Sequence, residues 1–129
     1  MQKILIIDDD PTGTRLLMTL LKFEGYEPHP VENWQDPVSD IERVRPDLVI
    51  MDVYLRIGDG FQLLRQLRTH PDSEVCRIPV LMVSAEDQRA RCRDAGAQGF
   101  LEKPFNVRML IETIREIEKE VSEGKDPCN

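Results

Sequence analysis

The chain is short of several things that functional sites are commonly built from. No apolar run approaches the roughly 20 residues that a membrane span requires, and the N-terminus has neither the basic flank nor the long apolar stretch of a signal peptide. The expected location is therefore the cytoplasm, with no membrane contact. Only three cysteines occur, Cys76, Cys92 and Cys128, without CxxC spacing. A disulfide framework and a zinc site are both unsupported, and idle or buried thiols are the expectation. The two histidines, His29 and His70, lie far apart and each adjoins a proline, a poor start for a Ser-His-Asp triad or a His-rich metal site. Basic residues are outnumbered, 17 to 24, giving a net charge of −7. That balance argues against direct nucleic-acid binding by this segment, because phosphate contacts need clustered Lys and Arg. Neither GxGxxG nor GxxxxGK[ST] is present, and there is no internal repeat.

What the chain does have is regular alternation. Short apolar runs at 3–7, 27–31, 48–52, 79–83 and 99–101 read as strands, with helical patterns between them. In 12–24 the pairs Leu16/Leu20 and Leu17/Leu21 repeat at helical spacing, with Asp10 placed to cap, Pro11 in the first turn and Gly25 past the end. A helix near 34–44 is expected to start from Asn33 unless Pro37 shifts it. Phe61, Leu64 and Leu67 share one face of 60–69, and Leu110, Ile114, Ile117 and Val121 form a stripe along 105–121. That stripe reads first as core packing and second as a homodimer or signalling face. Strand–helix repeated five times predicts an α/β fold with a parallel sheet covered on both faces. The prolines in "YEPHPV" place the second strand at an edge, as in a flavodoxin-like, doubly wound sheet of order 2-1-3-4-5. One domain spanning 1–121 is expected, with 122–129 as a flexible tail or the start of a linker.

Ligands of open parallel sheets bind at the carboxyl ends of the strands, and the residues there are not random. "KILIIDDDP" ends a buried strand on Asp8 and Asp9, "LVIMD" ends on Asp52, "VLMVS" on Ser84, and "GFLEKPF" leads to Lys103. Crowded carboxylates repel unless something compensates them. Mg²⁺ does so, commonly taking one or two carboxylates and leaving positions for phosphate oxygens. An ionised Asp can then attack a phosphoryl donor and form an acyl phosphate, with the ammonium and the hydroxyl stabilising the transferring oxygens. Asp8 and Asp9 read as the metal seat and Asp10 as a helix cap. Taken singly, Asp8 and Asp9 read equally well as turn caps, Asp52 as a loop carboxylate, Ser84 as a cap and Lys103 as a solvated lysine.

The stretches "ILIIDDDP", "PDLVIMDVYLRIGDGFQLLRQLR", "IPVLMVSAED" and "GAQGFLEKPF" resemble, in that order, the receiver domains of two-component response regulators, over roughly residues 2 to 121. The resemblance implies a phosphorylation-controlled signalling domain rather than an enzyme in the ordinary sense, with slow loss of its own acyl phosphate. It implies Asp52 as phosphoacceptor, served by a histidine kinase or phosphotransfer protein. It implies Mg²⁺ held by Asp8, Asp9, Asp52 and the Tyr54 backbone carbonyl, Lys103 and Ser84 on the phosphoryl group, and Phe100 as the aromatic that moves with Ser84. A cis Lys103-Pro104 bond and a helix opening at Asp59-Gly60 belong to the same pattern. Output would pass through a helix 4–strand 5–helix 5 surface to a downstream protein or an attached output domain. Arg56 departs from the family, which usually has proline there, and the interval from Ser84 to Lys103 is short by about one helical turn. The fourth helix is therefore expected to be short and weakly packed. Two further readings compete: a Mg²⁺-dependent phosphatase with an aspartyl intermediate, disfavoured because Tyr54 stands where a second acid belongs, and a receiver-like scaffold that is never phosphorylated.

Overall fold

The structure, a computed structural model, describes residues 2–125 and Pro127. Along the chain run β1 (Lys3–Ile7), α1 (Pro11–Phe23), β2 (Glu27–Pro30), α2 (Pro37–Val44) and β3 (Leu48–Asp52), then a small antiparallel hairpin, β4 (Tyr54–Leu55) and β5 (Gly58–Asp59). They are followed by α3 (Gly60–Arg68), α4 (Ser73–Cys76), β6 (Val80–Ser84), α5 (Arg89–Asp94), β7 (Gly99–Glu102) and α6 (Val107–Ser122). The five longer strands make one parallel sheet in the order β2-β1-β3-β6-β7. This is the expected flavodoxin-like order, with β6 and β7 as its fourth and fifth strands and α5 as the fourth helical region. No helix among the described residues is long and apolar enough to cross a membrane.

Strand periodicity sorts the core into two layers. Leu5, Ile7, Val49, Met51, Val80 and Met82 face Ile41 of α2, Phe61, Leu64 and Leu67 of α3, and Cys92 of α5. Their alternates Ile4, Ile6, Leu48, Ile50, Leu81 and Val83 face Leu21 of α1 and Leu110, Ile114 and Ile117 of α6. Every residue of "ILII" is therefore buried, which a strand covered on both faces demands. The apolar stripes are narrower than their sequence spacing suggests: Leu16 and Val121 stay exposed. Among the described residues β2 pairs only with β1, with Pro28 opposite Ile4 and Pro30 opposite Ile6, so the prolines do sit on an edge.

Local chemistry sets the helix starts. Asp10 accepts from Thr12 N at 3.2 Å, Asp59 from Gln62 N at 3.0 Å and Asn106 from Met109 N at 2.8 Å. Pro37 does shift α2: the helix opens there and not at Asn33, whose side chain turns the chain locally by accepting from Gln35 N at 3.2 Å. The buried Asp40 of α2 fastens this loop by accepting from Glu32 N and Asn33 N, both at 3.1 Å. The expectation of idle thiols needs a correction. Cys92 is buried and free, with burial pushing its pKa up to about 11, but Cys76 is disulfide-bonded. Cys128, like Asp126 and Asn129 of the expected tail, lies outside the described residues.

Candidate functional site

The sheet register brings the predicted residues to one edge. Ile7 pairs with Met51, Asp52 with Val83 and Ser84 with Glu102, so Asp8, Asp52, Ser84 and Lys103 emerge side by side. Lys103 N donates to the Ser84 carbonyl at 2.7 Å, which fixes the start of the last loop beside the end of β6. The Lys103-Pro104 bond is cis, as expected. The Lys103 ammonium lies 2.8 Å from Asp52 Oδ2 and 3.5 Å from Asp8 Oδ2, bridging the two acids. Burial alone would pull the Lys103 pKa down. Its hydrogen bond to Asp52 and the charges of Asp52 and Asp8 outweigh that, and the ammonium is held above its ordinary value. A cavity of about 310 Å³ opens beside these three residues, between α1 and Phe105.

Two further contacts shape the acidic loop. Asp8 Oδ1 accepts from Asp10 N at 2.9 Å, and the Thr14 hydroxyl donates to the Asp8 carbonyl at 3.1 Å. Asp9 is placed differently: its Oδ2 accepts from the backbone N–H of Arg56 at 2.7 Å. Asp8 and Asp52 thus come together, while no group of three His, Cys, Asp or Glu among the described residues converges as a metal seat. The donor chemistry nevertheless suits Mg²⁺. It takes hard oxygens, and two carboxylates close enough to share one ammonium meet that need, with waters filling the rest.

The other predicted residues lie nearby in specific arrangements. Ser84 is fully buried, and its hydroxyl accepts from Glu86 N at 3.2 Å, within its own loop. Phe100 is buried against the α3 side of the sheet, and the Arg89 guanidinium stands 5.5 Å from its ring centroid. Tyr54 leaves its ring half exposed. Its N–H reaches Asp52 Oδ1 at 3.4 Å, and its hydroxyl accepts from Gln88 Nε2 at 2.8 Å. Gly60 opens α3 so close behind the site that a Cβ there would stand 2.5 Å from the Asp52 carbonyl oxygen. Sequence reasoning missed Thr14 and the Arg56 amide. The first had a signal, a hydroxyl one turn into a helix that follows the acids; a backbone donor has none.

The chain matches the family model of the response regulator receiver domain over residues 4–115. It is 35% identical over 120 residues to protein PilH of Pseudomonas aeruginosa, covering 91% of this chain and 98% of PilH. It is 34% identical over 131 residues to response regulator MprA of a Mycobacterium species, covering 97% of this chain but 54% of MprA. Among solved structures it is similar to the receiver domain of a sensor histidine kinase from Pseudomonas aeruginosa, with TM-score 0.77, 29% identity and coverage of 91% of this chain and 98% of that one. That structure has a magnesium ion coordinated in its active site cleft.

Proposed function

The chain belongs to the response regulator receiver domain family, a phosphorylation-controlled signalling domain of two-component systems and not a conventional enzyme, and from that premise we propose that Asp52 is its phosphoacceptor. The observation that carries this reading is the ammonium of Lys103 shared between Asp52 and Asp8 at the carboxyl edge of the sheet. A cation so placed stands where negative charge accumulates during transfer.

The chemistry follows from that placement. Asp52 Oδ attacks the phosphorus of a phosphohistidine on a kinase or phosphotransfer protein; the new O–P bond forms as the P–N bond breaks, and the donor imidazole leaves with the electron pair. Asp8, Asp9, Asp52 and the Tyr54 carbonyl would hold Mg²⁺, which when bound neutralises charge on the transferring oxygens. Lys103 exchanges part of its ion pair with Asp52 for a phosphoryl oxygen. Ser84 reaches another by turning its hydroxyl away from Glu86 N, which draws the α5 loop inward. Phe100 and the Arg89 above it carry that shift to the α5–β7–α6 surface, read by a downstream protein or an output domain. Hydrolysis of the acyl phosphate resets the switch. The domain occupies 1–121, leads into a tail or linker over 122–129 and works in the cytoplasm. A homodimer through α6 would require Val121 and its exposed neighbours, since Leu110, Ile114 and Ile117 are committed to the core.

The test is intact mass after incubation with Mg²⁺ and acetyl phosphate. The expected result is one added phosphoryl group, absent from Asp52→Asn and from a metal-free control. No addition to the wild type, together with no binding of beryllofluoride, would leave a scaffold that is never phosphorylated.

A further inference from the structure

The Arg56 amide occupies an unusual position for a main-chain donor. It sits at the tip of the β4–β5 hairpin, where Tyr54 pairs with Asp59 and Leu55 with Gly58, and it points across to the loop after β1. Its 2.7 Å bond to Asp9 Oδ2 is charge-assisted, and such bonds are roughly twice as strong as neutral ones. The hairpin is fastened elsewhere as well. Gly60 N donates to the Val53 carbonyl at 2.6 Å at its base, and Gln88 Nε2 donates to the Tyr54 hydroxyl on its outer side. The amide is therefore not free to follow Asp9 inward. Asp8 and Asp52 meet through Lys103; Asp9 is the acid left out.

We propose that the Arg56 N–H is a latch on the metal seat, holding Asp9 away from Asp8 and Asp52 until a divalent cation draws it in. Cation binding then costs one hydrogen bond and releases the hairpin tip. Metal occupancy is in this way coupled to the position of the loop that carries Tyr54, whose N–H reaches Asp52 Oδ1. The inference rests on the metal seat proposed above. The latch is a property of the backbone, so the guanidinium is not its working part; only a residue without an N–H removes it.

The test compares Arg56→Pro with Arg56→Ala. Both lose the guanidinium charge, and only the first loses the amide hydrogen. Trp34, the single tryptophan, lines one cavity with Asp8 and Asp9, so its fluorescence reports Mg²⁺ titrations without any phosphoryl donor. Arg56→Pro is expected to bind Mg²⁺ about tenfold more tightly than Arg56→Ala; equal or weaker binding overturns the latch. Because proline can also distort the hairpin, amide hydrogen exchange on the unaltered protein gives a second reading. The Arg56 amide should be protected without Mg²⁺ and exchange faster at saturation, and protection that persists at saturation overturns the latch. Absence of Mg²⁺ binding in all three proteins would remove the metal seat itself, an outcome distinct from failure of the latch alone.

Discussion

After β1 the chain enters α1 with Asp10 capping Thr12 N and Pro11 opening a helix of 13 residues. After β6 it enters α5 from Gln88, which offers no side-chain cap, and only 6 helical residues follow. The first helix buries Leu21, with Leu17 and Met18 packed behind it; the second buries Cys92 alone. Asp8, at the first strand end, is held by Asp10 N, Thr14 and Lys103. Ser84, at the second, rests its hydroxyl on one bond from Glu86 N. α5 is otherwise steadied at its surface by the Gln88 bond to the Tyr54 hydroxyl, by Arg91 beside Asp59 and over the Phe61 ring at 4.0 Å, and by Arg89 over Phe100; the two ring contacts are worth about 0.5–1 kcal/mol each at exposed sites. Local stability within one domain ranges from near zero to the global value. One sheet edge here joins a firmly held strand end to a loosely held one; under the function proposed above, a phosphoryl group on Asp52 would need to displace only the second.

The largest effect should come from emptying the core under each helix. Leu21→Ala is expected to cost about 2–5 kcal/mol and Cys92→Ala about 1 kcal/mol, read from urea denaturation midpoints; equal losses would break the contrast. Asp10→Ala should cost about 1 kcal/mol by removing a cap, while Gln88→Ala stays within about 0.5 kcal/mol. A Gln88 loss as large as that of Asp10 would show that α5 is anchored after all.

A further contrast shows in the pH dependence of stability in alkaline solution. Tyr26, just past α1, donates to Glu118 Oε1 at 2.8 Å, and burial together with this acceptor pushes its pKa from 10.0 up to about 12. A folded-state pKa raised above the unfolded one contributes stability that is complete below pH 10 and lost as pH rises toward 12. Tyr26→Phe should flatten that alkaline decline, leaving the part that belongs to Lys103, whose pKa is also raised. Tyrosinate absorbance and denaturation midpoints between pH 9 and 12 (roughly the span in which tyrosine and lysine titrate) check both.

The sheet was legible because each strand is a short apolar run that stops on a polar residue, and burial on both faces leaves little else for "ILII" or "LVIM" to do. The same logic exposed Asp8, Asp52, Ser84 and Lys103, which mark the ends of those runs. The β4–β5 hairpin was not legible, since two strands of two residues carry no periodicity. α4 escaped notice for a similar reason: its four residues depend on Asp72 capping Glu74 N. The turn of Asp9 toward Arg56 was the least readable feature, because every residue but proline offers an N–H and only the folded path decides which one an acid meets.

The prolines of β2 have a consequence for the company this domain keeps at high concentration. Glu27 N donates inward to Gln2 O, and strand alternation sends the His29 amide the same way. The outward-facing positions are then Pro28 and Pro30, which have no amide hydrogen to offer. A stray extended chain arriving at this rim finds carbonyls but no donors, and cannot zip on as a sixth strand. The β2 rim of the sheet therefore offers no template from which a fibre could grow.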